Sequence, residues 1–214
     1  MRSKADKDTL LDGLVSEGYL RSQIVIDAMR RVPREAYIPD DIKGRAYYDC
    51  PQPIGYGQTI SAPHMVAIMT EHLDVKPDSH ILEIGTGSGY QAAVLAELAG
   101  EGDVISVERV PQLAEWARIV LKRLGYDNVH VVVGDGTLGY SEDAPYDRII
   151  VTAAAPHVPA KLVGQLRAGG RLLVPVGGRW SQRLIVVSKD EAGRLQETDH
   201  GGCVFVPLIG EDGW

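Results

Sequence analysis

The sequence predicts a doubly wound α/β fold, with a short N-terminal helical extension and antiparallel strands toward the C-terminal edge of the sheet. Three observations carry this expectation. From His80 onward, short apolar runs alternate with helical stretches, the pattern of strands buried on both faces of a parallel sheet. A glycine-rich loop joins the first of these strands to its helix. After Gly170 the remaining apolar runs follow one another without a helix between them, which suits antiparallel neighbours.

Taken in order, residues 8–32 read as two helices. "DTLLDGLVSEG" has apolar residues at helical spacing and ends at Gly18, and Ser22 is placed to cap "QIVIDAMRRV". Pro33 and Pro39 then break the pattern. Residues 40–62 are rich in Gly, Pro and Tyr without periodicity and read as an ordered surface loop. "HMVAIMTEHLDV" follows as a helix, with Pro63 acceptable in its first turn. "HILEIG", "DVISVE", "VHVVVGD" and "YDRIIVTA" read as buried strands, with "YQAAVLAELA" and "PQLAEWARIVLKRLG" as the helices between the first three. "PAKLVGQLRAGG" reads as a helix ending in glycine, and "RLLVPVG", "QRLIVVSKD" and "GCVFVPLIG" as the last strands. We expect one domain over 1–214, with helices and a covering loop in 1–78 and the cofactor-binding core in 79–214.

Composition narrows the class of partner. With 214 residues and 44% hydrophobic content the chain buries one substantial core. A formal charge of −7 leaves no electrostatic footprint for nucleic acid, so a small or peptide-like partner is favoured. Cys50 and Cys203 match neither a disulfide framework nor a zinc pattern, and no metal is expected. The N-terminus lacks the apolar core of a signal peptide, and no run approaches the roughly 18 apolar residues of a membrane span. The chain reads as a soluble cytoplasmic protein, without membrane contact and monomeric.

"LEIGTGSGYQ" places Gly85, Thr86, Gly87 and Gly89 between the first strand and its helix, where glycine allows positive φ and lets a ligand approach the backbone at a helix N-terminus. The dinucleotide fingerprint needs its third glycine at position 90, which is Tyr90. Glu108 ends the second strand, placed to accept both hydroxyls of a ribose or to sit solvated at a strand end. Asp135, with Gly136 after it, ends the third strand; it accepts a bond from an adenine amino group or makes an Asp-Gly turn. Glu83 lies inside the first strand, where a carboxylate is costly unless satisfied; loop N–H groups or a cationic ligand are its expected partners. Three strand ends in series point to an adenosine-containing cofactor.

"ILEIGTGSGY", "VVVGDGTLGY", "APYDRIIVTAAAPHVPAKLVGQLRAGGRLLVPVG" and "QTISAPHM" resemble the protein-L-isoaspartate O-methyltransferase family, class I enzymes with a Rossmann-like sheet. The likeness runs from about "DCPQPIGYGQTISAPHM" to "FVPLIGEDGW". It departs from many class I enzymes at Glu83, where they carry Asp. It implies S-adenosyl-L-methionine as methyl donor and S-adenosyl-L-homocysteine as product. The implied acceptor is the α-carboxyl of L-isoaspartyl residues, or the side-chain carboxyl of D-aspartyl residues, in age-damaged proteins and peptides; the ester then collapses to a succinimide, which starts repair. The likeness also makes Gly55, Tyr56, Gly57 and Gln58 a lid over the cofactor, sets His64 beside the cofactor, and puts Ser61 in the active site. Thr59, Ala154, Ala155, Pro156, Val206, Pro207 and Leu208 are the expected substrate contacts, the last three by backbone pairing with a peptide.

The chemistry asks for little proton transfer. A carboxylate with a pKa of about 4 is already ionised at neutral pH, so alignment and desolvation carry the reaction, and positioning of this kind supplies roughly 7 to 11 kcal/mol. Ser61 is expected to orient the carboxylate with a neutral hydrogen bond; from its position alone it equally reads as a cap for the helix at Pro63. Other readings are a class I methyltransferase acting on RNA or a small acid, a nicotinamide-dependent oxidoreductase, and a non-catalytic binding adaptor. The acidic charge opposes RNA and Tyr90 opposes the oxidoreductase.

Overall fold

A computed structural model describes the backbone of residues 2–214 and the side chains of residues 6–214. Two helices open the chain, α1 (Arg2–Ser16) and α2 (Gln23–Arg31). In α2 the apolar stripe Val25, Ile26, Ala28 and Met29 is buried, and Arg30 and Arg31 sit in its last turn, where cations suit the helix dipole. Ser22 occupies the N-cap position, yet its side chain caps nothing. Its hydroxyl donates instead to Glu71 Oε2 at 2.5 Å, while the Arg21 and Ser22 N–H groups donate to Glu71 Oε1. A distant carboxylate outcompetes the local cap because it accepts three bonds at once.

Residues 40–62 are more regular than expected. They hold a short 3-10 helix (Asp40–Arg45) and an antiparallel hairpin of β1 (Gln52–Gly55) and β2 (Gln58–Ile60). Strands of four and three residues are too short for alternation to be read. Helix α3 (Pro63–Leu73) follows, with Pro63 in its first turn as expected.

The main sheet has seven strands: β3 (His80–Ile84), β4 (Asp103–Glu108), β5 (Val129–Val133), β6 (Tyr146–Val151), β7 (Leu166–Gly178), β8 (Ser181–Lys189) and β9 (Leu195–Cys203). Their order is β5-β4-β3-β6-β7-β8-β9. The first five run parallel, β8 is antiparallel to β7, and β9 is antiparallel to β8. Helices α4 (Tyr90–Ala99), α5 (Pro111–Arg123) and α6 (Ala160–Gln165) connect them. The chain leaves β3 on one side through β4 and β5, then returns on its other side as β6. Ligands of such sheets bind outside the strand C-termini at this switch point.

Apolar clusters cover both faces of the sheet. Nine of the ten residues of α4 are buried, because α4 lies between the sheet and α2; the N-terminal extension is therefore part of the core rather than an appendage. Helix α1 begins at Arg2, earlier than the expected residue 8, and two boundaries in the C-terminal part also differ from expectation. Helix α6 ends at Gln165, and residues 166–170 already belong to β7, with Leu166 paired to Tyr146; tertiary pairing overrides the local helical pattern. The expected last strand, 202–210, is displaced. Strand β9 ends at Cys203 and consists mostly of exposed polar residues, so no apolar alternation marks it. Beyond it the chain makes a single parallel bridge, Ala154 to Pro207, since Pro207 has no N–H for a ladder. Among the described residues, no helix is long and apolar enough to cross a membrane.

Candidate active site

At the end of β3 the chain turns through Gly85, Gly87 and Gly89, with φ of 96°, 55° and 90°. A Cβ on Gly85 would lie 2.5 Å from Thr152 Oγ1, so glycine is required there by backbone conformation and by the close neighbouring loop. Gly89 is the N-cap of α4 and packs against Leu121 and Ala117 of α5. Its role is helix packing, not cavity lining.

Glu108 closes β4 with 6% exposure. Its Oε2 accepts the Gly87 N–H and its Oε1 the Val110 N–H, both at 2.9 Å. The carboxylate thereby pins the glycine loop, and each oxygen keeps a lone pair. Glu108, Gly85, Gly87, Gly136, Thr152 and Gln58 contribute to one cavity, which Val206, Pro207 and Leu208 close from the C-terminal segment. Thr86 lines a smaller adjoining space between the loop and Ser61. Gly55, Tyr56 and Gly57, the expected lid, form the exposed turn of the β1–β2 hairpin, and Gln58 is the residue of that group in the cavity wall.

A second cleft lies alongside, lined by Thr59, Ser61, His64, Met65 and residues 203–206. Thr59, Thr152 and Val206 belong to both spaces, which therefore share a wall. Ser61 is not a helix cap: the N-cap of α3 is Ala62. Its hydroxyl has no hydrogen-bond partner among the described residues. Its carbonyl accepts Arg34 Nη2 at 2.6 Å, while Arg34 Nε donates to the Ala46 carbonyl. Arg34 is 1% exposed and its guanidinium lies 4.7 Å from the Tyr90 ring centroid. Burial pulls its pKa below the usual arginine value. One buried cation thus ties the Ser61 loop to the first residue of α4. No sequence signal marked Arg34, since a charged residue after a proline reads as surface.

His64, expected beside the cofactor, lines the second cleft instead. Asp49 Oδ1 takes both its backbone N–H and its Nδ1, each at 2.9 Å. The Asp49 carboxylate orients the ring through Nδ1. Asp49 and Thr152 went unnoticed in the sequence, because their roles arise from contacts between distant segments.

Three further expectations are corrected. Glu83 bonds neither loop N–H groups nor a cationic group: it is fully buried, its Oε2 accepts the Ser106 hydroxyl, and its Oε1 has no partner. Burial, with a smaller contribution from the Glu108 charge, pushes its pKa up to about 8 against the opposing Ser106 bond. Asp135 does not line the cavity; its carboxylate accepts the Thr137 N–H and hydroxyl and the Glu211 N–H, docking the C-terminal tail. These bonds hold its pKa below the usual carboxylate range, against the desolvation that opposes them as the largest single effect. Ala154 and Ala155 leave no open room for a peptide. The Ala154 N–H and carbonyl pair with Val206 and Leu208, and Ala155 pairs with Pro175 and Gly177. The chain's own tail and β7 fill that place, with Trp214 Nε1 also bonded to the Ala154 carbonyl.

Residues 5–213 match the family model described as protein-L-isoaspartate(D-aspartate) O-methyltransferase. A protein-L-isoaspartate O-methyltransferase of Methanopyrus kandleri is 57% identical over 210 residues, covering 97% of this chain and 93% of its own length. One from Staphylothermus marinus is 55% identical, covering 100% and 99%. Among solved structures, a Plasmodium falciparum protein assigned as a protein-L-isoaspartate O-methyltransferase, in complex with S-adenosyl-L-homocysteine, superposes with a TM-score of 0.85 at 28% identity, covering 95% of this chain and 98% of that one. With a glycine loop and Glu108 around one cavity, a free Ser61 hydroxyl in the next, and likeness over nearly its whole length, the chain belongs to the protein-L-isoaspartate(D-aspartate) O-methyltransferase family.

Proposed function

We propose that this chain transfers a methyl group from S-adenosylmethionine to the free α-carboxyl of L-isoaspartyl residues in damaged proteins and peptides, with Ser61 steering the acceptor. The side-chain carboxyl of D-aspartyl residues is the second acceptor in this reading. The observation that supports the assignment of residues is the wall of Thr59, Thr152 and Val206 common to both spaces, in keeping with an acceptor beside a donor.

The first cavity fits the cofactor. Glu108 offers acceptor lone pairs for ribose hydroxyls, Gly85 and Gly87 present backbone rather than side chains, and Ile84, Val107, Leu208 and Ile209 supply apolar surface for a purine. When bound, S-adenosylmethionine supplies a methyl group on a sulfonium, an activated donor. The residues of this chain then have three tasks. Ser61 donates a neutral hydrogen bond to the substrate carboxylate, its loop held by Arg34. Thr59, at the junction, is placed to donate a second. Met65, Phe205 and Val206 exclude water from the cleft.

Among the described residues, neither Lys nor Arg lines this second cleft. That suits a reaction in which an anion and a cation cancel: a cationic clamp would hold the ground state, whereas a neutral, dry wall favours the transition state. His64, oriented by Asp49, accepts an N–H from the peptide main chain, a contact indifferent to side-chain identity.

The test is incubation with methyl-labelled S-adenosylmethionine and paired peptides that differ only in an isoaspartyl or an aspartyl residue. Label should enter the isoaspartyl peptide alone and leave as methanol in mild base. Label on RNA, or on neither peptide, would overturn the assignment.

A further inference from the structure

A second polar cavity, of about 420 Å³, lies toward the N-terminal ends of the parallel strands, away from the glycine loop. Its floor is a row of side chains in cross-strand register on one face of the sheet: Arg148 of β6 opposite Arg171 of β7, Arg171 opposite Ser188 of β8, and Ser188 opposite Gln196 of β9. All four line the cavity, with Lys189 and Arg194 beside them. Like charges directly opposed on neighbouring strands are unfavourable, and here one is deeply placed: the Arg148 side chain is only 10% exposed.

Part of this arrangement serves the fold. Arg148 Nε donates to the Asp74 carbonyl and Nη1 to the Asp147 carbonyl, and Arg171 Nη1 donates to the His72 carbonyl, so the pair satisfies acceptors at the C-terminus of α3. That leaves donors over. Arg148 Nη2 comes no nearer than 3.8 Å to a carboxylate, Asp74 Oδ2. Arg171 Nε and Nη2 have no acceptor among the described residues, and Lys189 Nζ uses one bond, to the Leu166 carbonyl. Both acidic residues of the lining already have partners, and Asp74 divides its charge between Arg148 and Lys76. Asp74 Oδ1 holds Lys76 Nζ at 2.6 Å, and Asp190 holds Arg194 Nε and two backbone N–H groups. Glu191 stands at the edge, near Gly169. Burial disfavours the Arg148 cation, Asp74 and Asp147 favour it and Arg171 opposes it; the lining as a whole carries four cationic side chains, Arg148, Arg171, Lys189 and Arg194, against the two carboxylates Asp74 and Asp190.

We propose that this cavity binds a phosphate group, with Arg148, Arg171 and Lys189 as its charged donors and Ser188 and Gln196 as neutral ones. A tetrahedral dianion accepts from several directions at once, as a fork of guanidinium N–H groups and an ammonium present them. Bound there it joins the end of α3 to β6, β7 and the β8–β9 hairpin, and leaves the methyl-transfer site open.

Titration calorimetry of the full chain with sodium phosphate, at fixed pH and with chloride holding ionic strength constant, tests this. Saturable one-site binding is expected. Arg171→Gln and Lys189→Gln should each weaken it roughly tenfold, the worth of one charge-assisted bond, while Ser61→Ala leaves it unchanged. Prior saturation with S-adenosylhomocysteine should not compete. If Arg171→Gln fails to fold, Lys189→Gln, on the half-buried end of β8, decides alone. A parallel titration with ribose 5-phosphate separates a phosphomonoester, bound more tightly, from inorganic phosphate, bound equally well. Absence of saturable heat, equal affinity in the variants, or competition with S-adenosylhomocysteine would each refute the site.

Discussion

Replacing Glu83 by Gln should remove a pH dependence from the stability of the fold. Glu83 is fully buried, bonded through one oxygen to Ser106 and orphaned at the other, and its pKa is pushed from an ordinary 4.5 up to about 8. A raised carboxyl pKa means that the folded state holds the proton more tightly than the unfolded chain. Its stabilising effect is therefore complete below pH 4.5, declines as pH rises, and is lost above about pH 8. From 4.5 to 8, at about 1.36 kcal/mol per pH unit, the change amounts to roughly 5 kcal/mol. Gln keeps an acceptor for Ser106 and does not titrate. Denaturant unfolding of both proteins between pH 5 and pH 9 provides the assay. The variant should gain on the natural chain by about 4 kcal/mol across pH 5 to 8 and no further above it. A stability difference that stays flat with pH would show that Glu83 is not held protonated.

Ser61→Ala should lower kcat about tenfold or more, the scale of one hydrogen bond to a charged group, with affinity for S-adenosylhomocysteine by calorimetry nearly unchanged; a collapse of that affinity would make Ser61 a cofactor residue. Arg34→Met keeps bulk but leaves the Ala46 and Ser61 carbonyls without their donor, so stability in urea should fall by about 3 kcal/mol and kcat should fall with it; unchanged kcat would show that Ser61 is held in place without Arg34. Gly85→Ala puts a methyl 2.5 Å from Thr152 Oγ1 at a φ of 96°. Affinity for S-adenosylhomocysteine should drop at least roughly tenfold, about 1.4 kcal/mol, and wild-type affinity would show that the loop is not the cofactor's seat.

The sequence alone laid out the strands and helices from His80 to Gln165, because β3, β4 and β6 are largely apolar and buried, although β5, expected to be buried as well, is a half-exposed strand at the sheet edge. The sequence also determined the glycine loop and the acidic end of β4. These are local: Gly85 needs its left-handed backbone, and Glu108 ends its strand, whatever surrounds them. The segment around Ser61 was likewise legible as a candidate site through its likeness to a known family.

What lay outside the sequence was everything made by distant segments meeting. Arg34 reads as a surface residue until the fold buries it between Ser61 and Tyr90. Asp49 becomes the partner of His64 only when the loop folds back on α3. Asp135 reads as a ligand-facing strand end until Glu211 docks on it, and the Ala154 and Ala155 backbone looks open until Val206, Leu208, Pro175 and Gly177 occupy it. Strand β9 carries almost no apolar signal, since an edge strand is held by its ladder to β8 rather than by burial. Local pattern reports how a segment sits against solvent; which hydrogen bonds each polar group finally makes is decided only by the tertiary structure.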